Sequence, residues 1–177
     1  MEQSLQKWTP YAKEYDPLKA GSIDGTDTEP HDKAVSRAMQ AHYEPPHGLK
    51  SKPERTLFVA RFGPKIMEQD LKEYFSRYGE VLSTKIIVDI VTGLSQGYGF
   101  VEMRNVDEAR RALRRSTDAT IKGYHIFVDF ECSRTMKGWK PRRLGGGFGG
   151  RKESGQLRFG GKDRPFRKLI IPNIIKP

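Results

Sequence analysis

The hydrophobic residues between positions 55 and 131 recur with two different periods. Four segments have the alternation and the β-branched or aromatic content of strands: 57–60, 81–88, 98–103 and 125–130. Apolar positions at helical spacing occur over 71–78, before Gly79, and again from Ala109 onward after Asn105, an N-cap type of residue. The element order is therefore predicted to be βαββαβ.

This order predicts an α+β fold of the ferredoxin-like type, in which two helices cover only one face of a four-stranded sheet. Side chains of a strand alternate between its two faces. If Leu57 and Val59 point towards the helices, the alternation places several other side chains together on the uncovered face. These are Phe58, Lys85, Tyr98, Phe100 and Phe127. Aromatic side chains exposed together on one flat surface indicate a binding site.

The segments on either side of this pattern have a different composition. Residues 1–54 are rich in turn-forming residues, which favours an N-terminal arm with little fixed structure of its own. The helical spacing of Ala34, Val35 and Ala38 predicts a short helix within this arm. Residues 132–177 form a basic, glycine-rich C-terminal extension. We therefore expect one domain at 55–131, flanked by extended, largely irregular arms.

Positive charge is concentrated at the C-terminal end of the chain. The 177 residues carry a net charge of +10, and residues 131–177 alone hold 13 Lys and Arg against 3 Asp and Glu. The hydrophobic content of 36% is low for one continuous core, which agrees with a single domain and two arms. A local excess of positive charge favours a polyanionic partner, either nucleic acid or an anionic membrane.

The composition disfavours several other classes of protein. No apolar run approaches the roughly 20 residues needed to cross a bilayer, and residues 1–10 contain no apolar stretch typical of a secretion signal. Cys132 is the only cysteine and the four histidines are scattered, so we expect no disulfide, no metal and no cofactor. No nucleophile is paired with a base, so we do not expect an enzyme. The chain is predicted to be intracellular, without a membrane partner.

Two short motifs favour nucleic acid over an anionic membrane as the polyanionic partner. Residues 57–62 (LFVARF) and 96–103 (QGYGFVEM) resemble the hexamer and octamer of the RNA-recognition-motif family. In that family the two motifs occupy the central strands, and their aromatic side chains stack on unpaired bases. The octamer usually begins with Lys or Arg and ends with an aromatic residue. Gln96 and Met103 depart from this pattern, which puts the phosphate contact of the first position in doubt.

The resemblance implies roles for the side chains of the uncovered face. The residues expected to contact RNA are Phe58, Tyr98, Phe100, Phe127, Arg61 and Lys85. The rings are expected to stack on bases, and the two cations are candidates for phosphate contacts. Two alternatives stay open: the aromatic face packs within the protein, or the fold is a protein-binding variant. The second alternative would use three acids of the first helix: Glu68, Asp70 and Glu73.

The flanking segments resemble a narrower family. Residues 15–27, 134–150 and 154–167 are similar to segments around the RNA-recognition motif of a family of minor-spliceosome ribonucleoprotein subunits, which is related to a subunit of the U1 particle. This resemblance implies binding to a small nuclear RNA stem-loop, that of U11 RNA, in the particle that recognises the 5′ splice site of minor-class introns. It also implies a nuclear location, a role in pre-mRNA splicing, and contacts between the arms and other particle proteins.

The beginning of the C-terminal extension combines cations with an aromatic ring. Its candidate RNA-binding residues are Lys137, Trp139, Lys140, Arg142 and Arg143. Phosphate attraction and a stacking plate would make this segment a clamp on RNA, and the glycines that follow would let the backbone approach closely. A solvated basic linker is the alternative for this segment. For the whole chain, the alternative function is general binding of single-stranded RNA.

The helix predicted after Asn105 carries a second basic group: Arg110, Arg111, Arg114 and Arg115. Because this helix is expected to cover the opposite face of the sheet, these arginines would lie far from the aromatic surface. A solvated surface or a protein contact is therefore favoured over a second RNA site.

Overall fold

The predicted order of strands and helices is present in the computed structural model, which describes residues 8–168. The strands are β1 (Thr56–Ala60), β2 (Val81–Val88), β3 (Ser95–Met103), β4 (Thr120–Ile121), β5 (Tyr124–His125) and β6 (Phe127–Phe130). The helices are α1 (Pro17–Ala20), α2 (Lys33–Gln40), α3 (Glu68–Phe75) and α4 (Val106–Arg115). The chain folds as two units, one formed by residues 46–135 and the other by residues 8–45 together with 136–168.

The first unit is built on a four-stranded antiparallel sheet with the strand order β2-β3-β1-β6. The two central strands, β3 and β1, carry the octamer and the hexamer. Helices α3 and α4 pack on one face of this sheet, and no helix of residues 46–135 packs on the other. The predicted α+β fold with the order βαββαβ is confirmed.

The core between the sheet and the helices contains the side chains that the strand period turns inward. Fully buried core residues are Leu57, Val59, Leu71, Phe75, Val101, Met103, Ala109 and Ala112. The small residues on α4 let its backbone approach the sheet closely. Burial of apolar surface contributes about 25 cal/mol per Å² removed from water, so this layer stabilises the unit.

Each of the two sheet-covering helices begins at a polar cap. The Asn105 side chain accepts a hydrogen bond from Glu108 N at 2.9 Å, and Asp70 Oδ2 accepts one from Met67 N at 2.8 Å. Such caps satisfy backbone donors that have no partner within the helix. Helix α3 ends at Phe75, one turn earlier than the apolar spacing suggested, so Tyr78 lies in the turn that follows it.

The last predicted strand, 125–130, is divided in the structure. Tyr124–His125 pairs with Thr120–Ile121 in a small separate hairpin, and only Phe127–Phe130 pairs with β1. The hairpin turns at Lys122 and Gly123, both of which have positive φ. The break between β5 and β6 falls at Ile126, which is buried like Val128, so the apolar alternation continues through it and periodicity alone joined the two strands.

The second unit has little regular structure, as expected of the arms, but the two arms pack on each other. Three rings form its aromatic cluster: Tyr15 lies 5.0 Å from Trp139 and 5.3 Å from Phe148, and these two rings are 5.4 Å apart. The Tyr15 hydroxyl donates to Gly147 O at 2.8 Å. The residues of the C-terminal extension thus complete a core that the N-terminal arm begins.

A buried ion pair also links the two arms. Arg158 has no exposed surface, and its guanidinium donates to both carboxylate oxygens of Asp32 at 3.0 and 3.2 Å and to Gly145 O. Asp32 in turn caps α2 by accepting from Val35 N at 2.7 Å. A Cβ atom on Gly145 would lie 2.1 Å from Ala34 O, so this close approach requires glycine. The arms are therefore one folded unit rather than two independent extensions.

Candidate nucleic-acid interface

The uncovered face of the sheet carries its side chains in rows that run across the strands. In the first row Lys85, Phe100, Phe58 and Asp129 are neighbours on β2, β3, β1 and β6, in that order. In the second row Ala60 lies between Tyr98 and Phe127. Because Phe58 and Ala60 are two residues apart on the central strand β1, the two rows are adjacent.

Three of the rings are in mutual contact. The Phe58 ring centroid lies 5.8 Å from those of both Tyr98 and Phe100, and the latter two are 6.3 Å apart. All three rings are partly exposed, as is Phe127. The structure thus places the four predicted aromatic residues on one face as a continuous apolar plate. Each base of an unpaired nucleotide has a flat π-face, which such a plate can receive.

Cations border this plate on both sides. Lys85 is exposed on the edge strand β2, directly opposite Phe100. Arg61 follows the last residue of β1 with a left-handed φ of 64°, and its guanidinium lies 4.9 Å from the centre of the Phe127 ring. A non-glycine residue in this region costs about 1–2 kcal/mol, so the tertiary structure holds Arg61 there against a local preference. Both cations can reach phosphates of a strand that lies on the rings.

A polar row ends the face on the other side of Phe58, and sequence reasoning missed its ion pairs. Glu102 accepts from Lys52 N at 3.1 Å and pairs with the Arg55 guanidinium at 2.9 Å. Burial would raise the pKa of Glu102, but these hydrogen bonds hold the pKa below its ordinary value. Glu131 pairs in the same way with Arg134 at 2.8 Å. The acids of this row are thereby neutralised, which reduces their repulsion of a nearby phosphate.

Gly99 allows two neighbouring strands to approach each other closely. In the structure a Cβ atom on Gly99 would lie 2.3 Å from Lys85 O, on the neighbouring strand β2. This glycine is therefore required for the pairing of β2 with β3, and it sets the position of Lys85 opposite Phe100.

The loop between β2 and β3 presents apolar side chains to solvent. Ile90 is 99% exposed and Val91 is 93% exposed. The loop is nevertheless well organised, because the Asp89 carboxylate accepts from Val91 N and Thr92 N at 2.9 and 2.8 Å. These hydrogen bonds lower the pKa of Asp89. Ile90 and Val91 therefore do not pack into the core of the domain.

The acids named for the protein-binding alternative are engaged within the domain. Glu68 accepts from Ile86 N at 3.2 Å, and Asp70 pairs with Lys122 at 2.9 Å. The side chain of Glu73 accepts from Gln69 Nε2 at 3.1 Å. These contacts stabilise α3 and its attachment to the sheet. The three acids therefore have roles within the domain that do not require a protein partner.

The five candidate residues of the C-terminal extension lie in the second unit, and three of them have internal partners. Trp139 belongs to the aromatic cluster, and Lys140 Nζ donates to Ala41 O. Arg142 donates to Phe148 O at 2.6 Å and to Gln156 O at 2.8 Å, and burial lowers the pKa of its guanidinium. These side chains stabilise the unit, because backbone carbonyls of an irregular segment need donors that the segment itself lacks.

The other two candidates are exposed. Lys137 Nζ lies 3.9 Å from a carboxylate oxygen of Glu14, an exposed pair that is worth little. The Arg143 guanidinium lies 5.7 Å from the centre of the Tyr43 ring. Of the five predicted RNA-binding residues of the extension, Lys137 and Arg143 are exposed and can contact a phosphate. The other three pack or form hydrogen bonds within the second unit.

The described part of the chain offers little for other chemistry. No group of three or more His, Cys, Asp or Glu within residues 8–168 could hold a metal ion. Burial, with Asp129 and Glu131 nearby, raises the pKa of the Cys132 thiol to about 12, so it is a poor nucleophile. No helix among these residues is long and apolar enough to cross a membrane.

Residues 57–127 match the model of the RNA recognition motif family, which defines the class of the first unit. Across most of its length the chain is similar to proteins named U11/U12 small nuclear ribonucleoprotein 35 kDa protein. It is 55% identical to the human protein over 97% of this chain and 70% of that one, and 53% identical to the Danio rerio protein over 97% and 82%. The chain belongs to this family of RNA-recognition-motif proteins.

More distant relatives extend the comparison. The chain is 35% identical over 134 residues to the U1 small nuclear ribonucleoprotein 70 kDa homolog of Schizosaccharomyces pombe, which covers 75% of this chain and 49% of that protein. It spans 61% of the Xenopus laevis 35 kDa protein. Members of this family are ribonucleoprotein components that bind RNA and are not enzymes, in agreement with the expectation from the sequence.

Proposed function

We propose that this protein is an RNA-binding subunit of a minor-spliceosome ribonucleoprotein particle in the nucleus. Its RNA would be a stem-loop of the U11 small nuclear RNA, in the particle that recognises the 5′ splice site of minor-class introns during pre-mRNA splicing. The names and the high identity of its relatives support the particle. The geometry of the uncovered sheet supports the RNA.

The observation that carries this proposal is the contact of three rings on a sheet face that no helix of the domain covers. Phe58, Tyr98 and Phe100 form a plate on which successive bases of an RNA loop can stack. Each stacked base contributes about 1–3 kcal/mol, as judged by replacement of the ring with alanine. Phe127 extends the plate across the sheet, beside Ala60.

Phosphate contacts give the remaining affinity and orient the RNA. Lys85 and Arg61 border the plate on opposite sides, so a strand crossing the rings passes both of them. Lys137 and Arg143 supply further backbone contacts from the second unit, where Trp139, Lys140 and Arg142 support the segment that presents them. Such contacts do not read sequence, but they make binding strongly dependent on salt.

A comparison of two RNAs tests specificity for a stem-loop against general binding of single strands. The hairpin is the U11 RNA stem-loop, and the second RNA is linear and carries the same loop sequence. We expect tighter binding to the hairpin across a salt titration. Its stem constrains the unpaired loop bases in a fixed arrangement, and the phosphates of the stem provide further contacts for lysine and arginine side chains. Equal affinity at every salt concentration would favour the general single-strand binder.

Crosslinking in nuclei tests the particle assignment. The full chain is crosslinked to RNA with ultraviolet light, and the attached RNA is sequenced. We expect recovery of a minor-spliceosome small nuclear RNA with crosslinks at the aromatic plate. Recovery of messenger RNA without any small nuclear RNA would contradict the particle assignment and leave the RNA-binding surface itself intact.

A further inference from the structure

A cluster of arginines lies on the helical layer of the first unit, on the other side of the sheet from the aromatic plate. Its members are Arg77, Arg110, Arg111, Arg114 and Arg115, all of which are exposed. Arg77 lies just beyond the end of α3, and the other four lie on α4. We call this group the helical arginine cluster.

The cluster converges on Tyr78. The Arg111 guanidinium donates to Tyr78 O at 3.1 Å, and the Arg77 guanidinium lies 5.3 Å from the centre of the neighbouring Tyr74 ring. Hydrogen bonding with Tyr74 raises the pKa of the Tyr78 phenol, and the positive charges of Arg77 and Arg115 act against that rise. Arg77 follows α3 and Arg111 lies on α4, so two elements bring cations to the neighbouring residues Tyr74 and Tyr78.

No carboxylate of residues 8–168 forms an ion pair with any member of the cluster. Other arginines of the same unit are paired: Arg55 with Glu102, Arg104 with Glu80 and Arg134 with Glu131. Two cations in the last turn of α4 offset the helix dipole, but this effect does not explain Arg77 or Arg111. The positive charge of the cluster is thus not balanced by an ion pair with any carboxylate of the described residues.

We propose that the helical arginine cluster is a docking site for an acidic segment of a protein partner. Guanidinium groups bind carboxylates through two parallel hydrogen bonds, and Arg and Tyr are enriched at the centres of protein interfaces. The partly buried Tyr78, whose backbone oxygen accepts from Arg111, supplies an aromatic component next to the cations. The ligand class is a short peptide segment rich in Asp or Glu.

The surroundings of the cluster favour a short peptide over a polynucleotide. Glu73 lies one helical turn before Arg77, and Asp107 lies one turn before Arg111, both exposed. A nucleic-acid strand carries a phosphate at every nucleotide, so its path across the cluster would bring phosphates against these carboxylates. A peptide segment with two or three carboxylates can pair with the arginines and keep its own charges away from Glu73 and Asp107.

This proposal does not depend on the proposed RNA function, because it uses residues on the opposite face of the sheet. The test uses the full chain and two labelled probes, a short peptide of alternating glutamate and serine and the U11 hairpin RNA. The cluster variant is R77Q/R111Q/R115Q. The control variant is K33Q/R37Q/K50Q, which loses the same charge at exposed positions outside the cluster.

We expect the cluster variant to bind the peptide at least about tenfold more weakly, since hydrogen bonds to charged groups are lost. The control variant should bind it within about twofold of the parent, because screened charges outside the site contribute little. Hairpin affinity should change equally in both variants. The double variant R77Q/R115Q keeps the bond between Arg111 and Tyr78, and it should show the same direction of change if the triple variant folds poorly.

Three results would overturn the proposal. Unchanged peptide affinity in the folded cluster variant would remove the site. An equal loss in the control variant would show attraction by net charge alone. A loss of hairpin binding confined to the cluster variant, with peptide binding unchanged, would assign the cluster to RNA.

Discussion

Arg158 is a charged side chain with no exposed surface, and its position depends on residues from both ends of the chain. Transfer of a guanidinium from water is costly unless it is paired and hydrogen-bonded. Asp32 and Gly145 O provide that compensation. Burial alone would raise the pKa of Asp32, but Arg158 and Val35 N hold it below its ordinary value. The carboxylate therefore stabilises the unit at neutral pH, and this contribution is lost as the pH falls below about 4.

Replacing Arg158 with Met should destabilise the second unit by about 3–5 kcal/mol, because the substitution leaves Asp32 partly buried without its partner. Both tryptophans of the chain, Trp8 and Trp139, lie in this unit, so tryptophan fluorescence reports on it. The measurement is urea unfolding in a W8F background, which leaves Trp139 as the only reporter. An unchanged unfolding midpoint would contradict the assigned role of the ion pair.

Cys132 should be unreactive in the folded protein. Burial raises the pKa of its thiol from 9.0 to about 12, so almost no thiolate exists near neutral pH. We expect slow modification by a disulfide reagent at mildly alkaline pH and fast modification after unfolding. The protonated thiol favours the fold below the ordinary pKa, and this contribution is lost as the pH rises towards about 12. Equal rates in the folded and unfolded chain would show that the thiol is accessible.

The close pairing of β2 with β3 requires glycine at position 99. Gly99→Ala would place a methyl group 2.3 Å from Lys85 O, which the rigid backbone of β2 cannot avoid by a rotamer change. We predict a loss of about 1–3 kcal/mol in the free energy of unfolding of the first unit. Chemical unfolding followed by far-ultraviolet circular dichroism measures it, with Gly93→Ala as the control.

Gly93 lies in the same hairpin and has a positive φ, but a Cβ atom there would meet nothing within 4 Å. Its substitution carries only the backbone strain of the left-handed region, about 1 kcal/mol. A Gly99→Ala variant no less stable than Gly93→Ala would contradict the packing argument. Hairpin RNA affinity of the Gly99 variant should also fall, because Lys85 would leave its place opposite Phe100.

The elements that the sequence predicted well are those with a strong local period. Strands β1 and β3 and helix α4 bury residues at regular spacings, and the aromatic face follows directly from the two-residue alternation. The division between β5 and β6 could not be predicted in this way, because buried Ile126 continues the apolar alternation across the break. The ion pair of the polar row was missed because Glu102 and Arg55 are 47 residues apart in the sequence.

The second unit shows the limit of local patterns more clearly. Asp32 and Arg158 are 126 residues apart, and Tyr15 and Gly147 are 132 apart. No helical or strand period connects such positions, and the glycines of the extension look like a flexible linker when taken alone. Trp139 and Arg142 were assigned to RNA on charge and aromatic content, but those properties serve equally well to pack an irregular core.

The two arms should fold only together. Deletion of residues 1–45 removes Tyr15 and Asp32, so we expect the extension to lose its structure while the first unit keeps its stability. Hydrogen exchange measured by mass spectrometry separates the two outcomes, since residues 136–168 should exchange rapidly and residues 56–130 slowly. Retained protection of the extension in the shortened chain would show that it folds without the arm.

The central claim is that the rings on the uncovered face hold RNA bases. It is tested most directly by the equilibrium affinity of the folded variant F58A/Y98A for the U11 hairpin, compared with W8A/Y11A, which removes two exposed aromatic side chains of the second unit. Loss of stacking should cost about 1–3 kcal/mol for each ring, so we predict at least about thirtyfold weaker binding by F58A/Y98A and near-parental binding by W8A/Y11A. Parental affinity in a correctly folded F58A/Y98A would contradict the account.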